Sequence, residues 1–183
     1  MKIVKKTSRK PNYSKDLKYG KVGERDFEKI ISKKIEKDGG KLFDVRDEEE
    51  YQLCDIDYVI DRLGKKELPS IDIVLKDKRY LKVEAKTDGV AVCSGNLPFE
   101  SISHGRRGWC EVTECDYVYF ALTEKDSDNI IKRAWVNMKN WKSYCSSSLY
   151  KRKVSYIENE DIVDLLCRIS DLEKNGILKW VGK

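Results

Sequence analysis

Glu84 and Lys86 flank Ala85 in the run Leu81-Lys82-Val83-Glu84-Ala85-Lys86, which alternates apolar and charged residues at period two. That period marks a half-buried strand. Leu81, Val83 and Ala85 face a core, and Lys82, Glu84 and Lys86 stand together on the other face. A carboxylate and an ammonium two residues apart on one strand face form a compact polar pair. The acid can hold a divalent cation and the lysine sets a positive charge beside it, the residue types that phosphoryl chemistry uses. The chain has one other acid-x-Lys triplet, Asp16-Leu17-Lys18, which lies in a basic run without strand character.

Other elements must bring further acids to this pair. Gly20-Lys21-Val22-Gly23 leads into a helix over about 24–37, with Phe27, Ile30, Ile31 and Ile35 at helical spacing and Asp38-Gly39-Gly40 as its stop. Glu24 shares that apolar face, so it either favours the helix dipole or leans over the sheet beside the site. An acidic stretch, Asp44 to Glu50, precedes a strand over 56–61 that carries Asp57 just inside its start. A loop punctuated by Gly64, Pro69 and Ser70 leads to a second strand over 71–75, a tight turn, and the strand over 80–87. The reading is a helix followed by a meander of three antiparallel strands. With the turn centred near Asp77 and Lys78, Asp72 falls opposite Val83 or Glu84, and opposed Cβ atoms are about 5 Å apart. Asp72 and Glu84 can then share one metal.

From Gly89 to Gly108 turn residues predominate, and loops of that length are often functional. Glu100 lies in this stretch. Arg106 and Arg107 beside Trp109 suit a phosphate backbone with a base or sugar stacked on the ring; the alternative is a surface loop anchored by a tryptophan. The run 116–122 reads as a central strand and 130–138 as another. A short helix begins at Asn140-Trp141, and 154–157 forms an edge strand. A last helix runs from an Asn159 N-cap to about Glu173, with Ile162, Val163, Leu165, Leu166, Ile169 and Leu172 buried.

Composition narrows the class. The 183 residues suffice for one well-packed domain, and 40% hydrophobic residues for its core. The net charge of +5 is concentrated in the first twenty-one residues, where Lys2, Lys5, Lys6, Arg9, Lys10, Lys15, Lys18 and Lys21 face a single acid, Asp16. Residues 1–19 therefore read as a flexible basic arm, either solvated or, with Lys10 and Lys21, binding phosphate. No signal-like or membrane-spanning apolar run is present, so the expectation is a cytoplasmic protein with no membrane partner. Six scattered cysteines fit free thiols, and the absence of C-x-x-C spacing argues against structural zinc. The lone histidine, His104, reads as a loop residue.

The order of these elements resembles the PD-(D/E)xK nuclease superfamily of restriction endonucleases and Holliday junction resolvases. Pro69-Ser70-Ile71-Asp72 and Val83-Glu84-Ala85-Lys86 stand where that motif puts them, and Gly20-x-x-x-Glu24 looks like the helix acid of many members. A closer likeness is to phage-type and bacterial members of unassigned role. It rests on Gln52-x-x-Asp55-Ile56-Asp57-Tyr58, Glu84-x-Lys86-Thr87-Asp88, Gly95-Asn96-Leu97-Pro98-Phe99-Glu100, Gly108-Trp109 and Asp116-Tyr117. That likeness would make Asp57 the catalytic aspartate, whereas hairpin geometry favours Asp72. Both stay open here, with Asp72 ahead.

The resemblance covers about residues 20–140. It implies an α/β restriction endonuclease-like core, a central mixed sheet flanked by helices; the basic arm and the C-terminal helical extension near 158–175 lie outside it, and 20–183 reads as a single domain. It implies Mg²⁺, or Mn²⁺ in its place, on Asp72 or Asp57, Glu84 and the carbonyl of Ala85. Lys86 would stabilise the attacking hydroxide or the developing charge, and Glu24 and Glu100 would be supporting acids. The expected activity is hydrolysis of phosphodiester bonds in double-stranded DNA, as an endonuclease in phage or bacterial DNA processing or defence, in many relatives as a homodimer. The competing expectation is an inactive nucleic-acid-binding protein, or a subunit of a larger complex that kept the fold.

Overall fold

A computed structural model describes residues 2–5, 13–63, 67–71, 73–74, 78–148, 150, 153–157 and 161–182. In chain order the elements are β1 (Lys2–Lys5), α1 (Tyr13–Lys37), β2 (Lys41–Asp44), α2 (Glu49–Gln52), β3 (Tyr58–Asp61) and β4 (Glu67–Leu68). A 3-10 turn over Pro69–Ile71 leads to β5 (Ile73–Val74) and β6 (Tyr80–Asp88). Then come α3 (Ala91–Ser94), β7 (Asn96–Ser103), β8 (Arg106–Arg107), α4 (Trp109–Val112), β9 (Tyr117–Thr123) and β10 (Ile130–Asn137). The chain closes with α5 (Met138–Cys145), β11 (Lys153–Ile157), β12 (Ile162–Arg168), α6 (Ile169–Lys174) and β13 (Leu178–Trp180).

The architecture is α/β. A mixed six-stranded sheet runs β13-β10-β9-β6-β3-β2, with β6 and β9 parallel and the other pairs antiparallel. A second sheet runs β1-β11-β12-β7-β8 and is antiparallel apart from the β1–β11 pair. Two apolar clusters hold the layers together. Phe27, Ile31 and Ile35 of α1 pack on Tyr58, Ile60, Leu81, Val83, Ala85 and Tyr119. On the other face of the same sheet, Val59, Val118 and Phe120 pack against Leu97, Phe99, Leu165 and Cys167 of the second sheet. The six-stranded sheet is thus covered on both faces. The Glu84–Lys86 face looks into the space between the sheets, not into open solvent.

The meander has three antiparallel strands, but they are β2, β3 and β6. β6 pairs with β3 through Tyr58↔Val83 and Ile60↔Leu81, so the expected hairpin between 71–75 and 80–87 is replaced. After β3 the chain leaves the sheet and forms the small β4–β5 ladder, with Leu68 and Ile71 buried against α1. With β3 on one edge of β6 and β9 on the other, no edge of β6 is left for β5. Asp72 itself lies outside the described residues.

Two further expectations change. α1 begins at Tyr13, eleven residues before the expected start. Its early turns are tied to the sheet, with Tyr19 Oη bonded to Thr123 Oγ1 at 2.6 Å. Part of the expected arm is therefore in β1 and α1, while 6–12, including Lys10, lies outside the described residues. The long terminal helix is instead β12 followed by the six-residue α6. Ile162, Val163, Leu165 and Leu166 fit either period, and the waiting edges of β7 and β11 decide for a strand. β11 is accordingly an internal strand of its sheet. No described helix is long and apolar enough to cross a membrane.

Candidate active site

The site forms where β3 and β6 part. Continuing the register from Tyr58↔Val83 sets Asp57 opposite Glu84 and Asp55 opposite Lys86. The ladder holds as far as Asp57, whose N–H donates to the Val83 carbonyl at 3.0 Å. The Ala85 N–H then donates to Asp57 Oδ2 at 2.9 Å, so a side chain takes the next rung. Asp55 turns the strand away, with a positive φ of 51°, a conformation Asp tolerates better than most residues.

Four charges converge there. Lys86 Nζ lies against Glu84 Oε1, 3.1 Å from Asp55 Oδ2, and 5.1 Å from the centroid of the Trp109 ring. Glu84 is only 3% exposed, and its second oxygen, Oε2, is buried without a hydrogen-bond partner. Burial raises the Glu84 carboxyl well above the carboxylate range; Lys86 opposes the shift and Asp57 and Asp55 add to it. Burial also lifts Asp57 to about 6, against the Ala85 hydrogen bond and Lys86 and with the charges of Glu24 and Asp55. Desolvation alone would lower Lys86, but the Glu84 and Asp55 carboxylates outweigh it and hold the ammonium above its ordinary value. The buried Lys86 ammonium is thus retained beside Glu84 and Asp57, whose carboxyls burial makes harder to ionise.

α1 fixes the position of this strand. A Cβ on Gly23 would lie 2.8 Å from the Lys86 carbonyl oxygen and 2.9 Å from Thr87 Oγ1, so only glycine permits the helix to lie this close. The Gly23 N–H donates to Thr87 Oγ1 at 2.8 Å, and that hydroxyl donates to the Gly20 carbonyl at 2.9 Å. Glu24 follows at once, paired with Arg46, which also binds Glu28 and Asp44 and lies over the Tyr58 ring. Glu24 therefore acts on Asp57 through its charge, while its carboxylate is held by the arginine.

The expected site residues divide clearly. Asp57, Glu84, Ala85 and Lys86 come together, with Glu24 at the margin. The chain just before Asp72 is not at this place: Ser70 donates to Asp38 past the C-terminal end of α1, from N at 2.7 Å and from Oγ at 2.6 Å. Glu24 stands fourteen residues earlier, about 21 Å along the helix. Glu100 is on β7 of the second sheet, opposite Asp164, and does not join the cluster. Arg106 and Arg107 are exposed on the β7–β8 hairpin, and Arg107 Nη2 donates to the Glu111 carbonyl at 2.7 Å. Trp109 is not the open stacking platform expected beside them. Its ring packs on Phe99 at 5.5 Å and carries Lys86. Lys21 is exposed on α1, and His104 sits at the β7–β8 turn with a positive φ of 48°.

Asp55 is the member that residue-by-residue reading left out. Its signal is the pairing of two triplets, Asp55-Ile56-Asp57 against Glu84-Ala85-Lys86, which only the correct strand register reveals. All six cysteines are free.

No family model, no curated protein and no solved structure matches this chain. The site must therefore be read on its own chemistry. Among the described residues, no three His, Cys, Asp or Glu side chains form a ready-made metal cage. A hexahydrated cation such as Mg²⁺ does not need one, because it keeps several waters and takes one or two carboxylates plus substrate phosphate. Asp57 and Glu84 supply two hard oxygen ligands from opposed strands, and the orphaned Glu84 Oε2 is a buried acceptor lacking a donor or a cation. The donor set fits Mg²⁺ or Mn²⁺.

Proposed function

We propose that this chain is a Mg²⁺-dependent nuclease that hydrolyses phosphodiester bonds of DNA. The observation that carries the reading is Asp57 set opposite Glu84, with Ala85 N–H fixing Asp57 and Lys86 Nζ against Glu84. The reading is also supported by the order α1, β2, β3, β6 and then β9 parallel to β6, a helix, three antiparallel strands and a further strand, which is the order that the resemblance to PD-(D/E)xK nucleases implies. In that frame the motif aspartate is Asp57, the glutamate Glu84 and the lysine Lys86. The net charge of +5 suits a polyanionic substrate.

A bound Mg²⁺ would supply Lewis acidity and an acidified water. The chain's own groups do the rest. Asp57 and Glu84 would hold the cation, with the Ala85 carbonyl as a further oxygen that the family resemblance implies. Lys86 bears a proton that the Glu84 and Asp55 carboxylates make hard to lose, so it donates hydrogen bonds to the developing charge on the phosphoryl oxygens or to the attacking hydroxide. Trp109 and Asp55 orient that ammonium.

The second reading is a nucleic-acid-binding protein without cleavage, favoured by the lack of a three-acid cage among the described residues. Incubation of plasmid and single-stranded DNA with the protein in Mg²⁺ or in EDTA separates the two. Cleavage that EDTA stops and Mg²⁺ restores supports the nuclease. Salt-sensitive binding with no cleavage in Mg²⁺ or Mn²⁺ supports the second reading.

A further inference from the structure

Next to the acid–lysine cluster the same sheet face opens into a cavity of about 350 Å³, lined by Phe43, Tyr51, Val59, Tyr80, Glu48 and Lys82. Val59 and Lys82 are cross-strand partners, each two residues along its strand from Asp57 and Glu84 respectively. At 3.2–3.4 Å rise per residue the cavity begins about 7 Å from the carboxylates. Phe43 and Tyr80 are 46% and 49% exposed, so both rings have open faces at the surface of the sheet. Tyr80 is nevertheless held in place. The Arg79 guanidinium lies 4.9 Å from its ring centroid, and Asp61 fixes that guanidinium through Nε at 3.1 Å and Nη2 at 2.9 Å.

We infer that this cavity takes one nucleobase of the substrate, from an unpaired or extruded nucleotide next to the bond that is cut; the inference rests on the nuclease reading of the adjacent cluster. Three aromatic rings around a small space suit a flat π face, since base–aromatic stacking is indifferent to sequence. The volume is at the low end for small-ligand pockets, roughly 300–1,000 Å³, and an α-helix, about 10–12 Å across, does not enter it. Glu48 accepts and Lys82 donates at the wall, matching the mixed edge of a base. Glu48, which lines the cavity, belongs to the acidic run Asp47-Glu48-Glu49-Glu50, and Lys82 shares its charge with Glu114 at 3.1 Å. A phosphate is repelled there and a neutral base is not. The phosphate then belongs at Lys86, the base at Tyr80.

The test uses the full chain in EDTA with a short single-stranded DNA carrying one 2-aminopurine, whose fluorescence falls on stacking. Wild type is expected to bind and quench it, Tyr80→Phe to behave similarly, and Tyr80→Ala or Phe43→Ala to weaken binding by about 5- to 150-fold, the range for loss of one stacked base. Unchanged affinity and quenching in both alanine variants overturns the inference, as does wild type that fails to bind at low salt. A change of oligomeric state in Tyr80→Ala, with no change in DNA affinity, overturns it in favour of a second copy covering the cavity. Cleavage in Mg²⁺ is scored separately. Quenching without cleavage sinks the nuclease reading and leaves the pocket standing; cleavage with unaltered binding in the variants sinks the pocket alone.

Discussion

Replacing Asp57 by Asn tests the electrostatics of the site without requiring it to do chemistry. The amide oxygen still accepts from the Ala85 N–H, a contact of 2.9 Å in the parent, so the break in the ladder is kept. Only the titrating proton is removed. Burial lifts the Asp57 carboxyl from its usual 3.8 to about 6. A carboxyl that holds its proton more tightly when folded favours the folded state at low pH, and that advantage is lost as the pH rises from 3.8 to about 6. Above that window the metal-free wild type carries the full penalty, about 3 kcal/mol at 1.36 kcal/mol per pH unit. Linkage then makes Asp57→Asn more stable than wild type by about 1.6 kcal/mol at pH 5 and about 3 kcal/mol at pH 7. Removing the Asp57 charge also eases ionisation of Glu84, which acts in the same direction. Urea unfolding of both proteins in EDTA at the two pH values measures the difference. A gap that is flat or narrows towards pH 7 refutes the reasoning.

Other consequences concern the parts that hold the site. Gly23→Ala should gain up to about 1 kcal/mol of helix propensity yet lose overall by about 1–3 kcal/mol, as an overpacked contact does, because its Cβ meets the Lys86 carbonyl at 2.8 Å. Urea unfolding checks this, and a variant as stable as wild type contradicts the close approach of α1 to β6. Trp109→Leu keeps an apolar side chain beside Phe99 but removes the ring under Lys86. A cation–π contribution of about 0.5–2 kcal/mol predicts a 2- to 30-fold slower cleavage rate, with Trp109→Phe in between and Mn²⁺ affinity unchanged. Equal rates in all three proteins would remove Trp109 from the site.

Much of this arrangement was legible in residue order. The period-two run over β6, the amphipathic face of α1 and the apolar strand β9 each rest on a local pattern that tertiary packing reinforces. Glu84 and Lys86 followed from the run itself. The aspartate partner did not, because register depends on which strand pairs with β6. A hairpin between 71–75 and 80–87 was a sound local expectation, but β6 pairs with β3 and β9 while β5 pairs with β4. β12 was unreadable for a related reason, since its apolar residues satisfy both periods and only the edges of β7 and β11 decide. The burial of Glu84 was equally hidden, because nothing local to β6 announces that a second sheet covers its polar face. Asp55 needed all of this: it becomes meaningful only when Lys86 stands opposite.

The central claim is that Asp57, Glu84 and Lys86 form one metal-assisted hydrolytic site. The direct measurement is a time course of DNA cleavage in Mg²⁺ by wild type, Glu84→Gln and Lys86→Gln at equal concentrations, each shown to be folded by circular dichroism, with Mn²⁺ binding recorded alongside. Wild type should cleave and EDTA should stop it. Glu84→Gln should lose both Mn²⁺ binding and cleavage, and Lys86→Gln should keep the metal while its rate falls by about 10²- to 10³-fold, as for loss of one charge-stabilising donor. Cleavage at the wild-type rate by both variants would contradict the account.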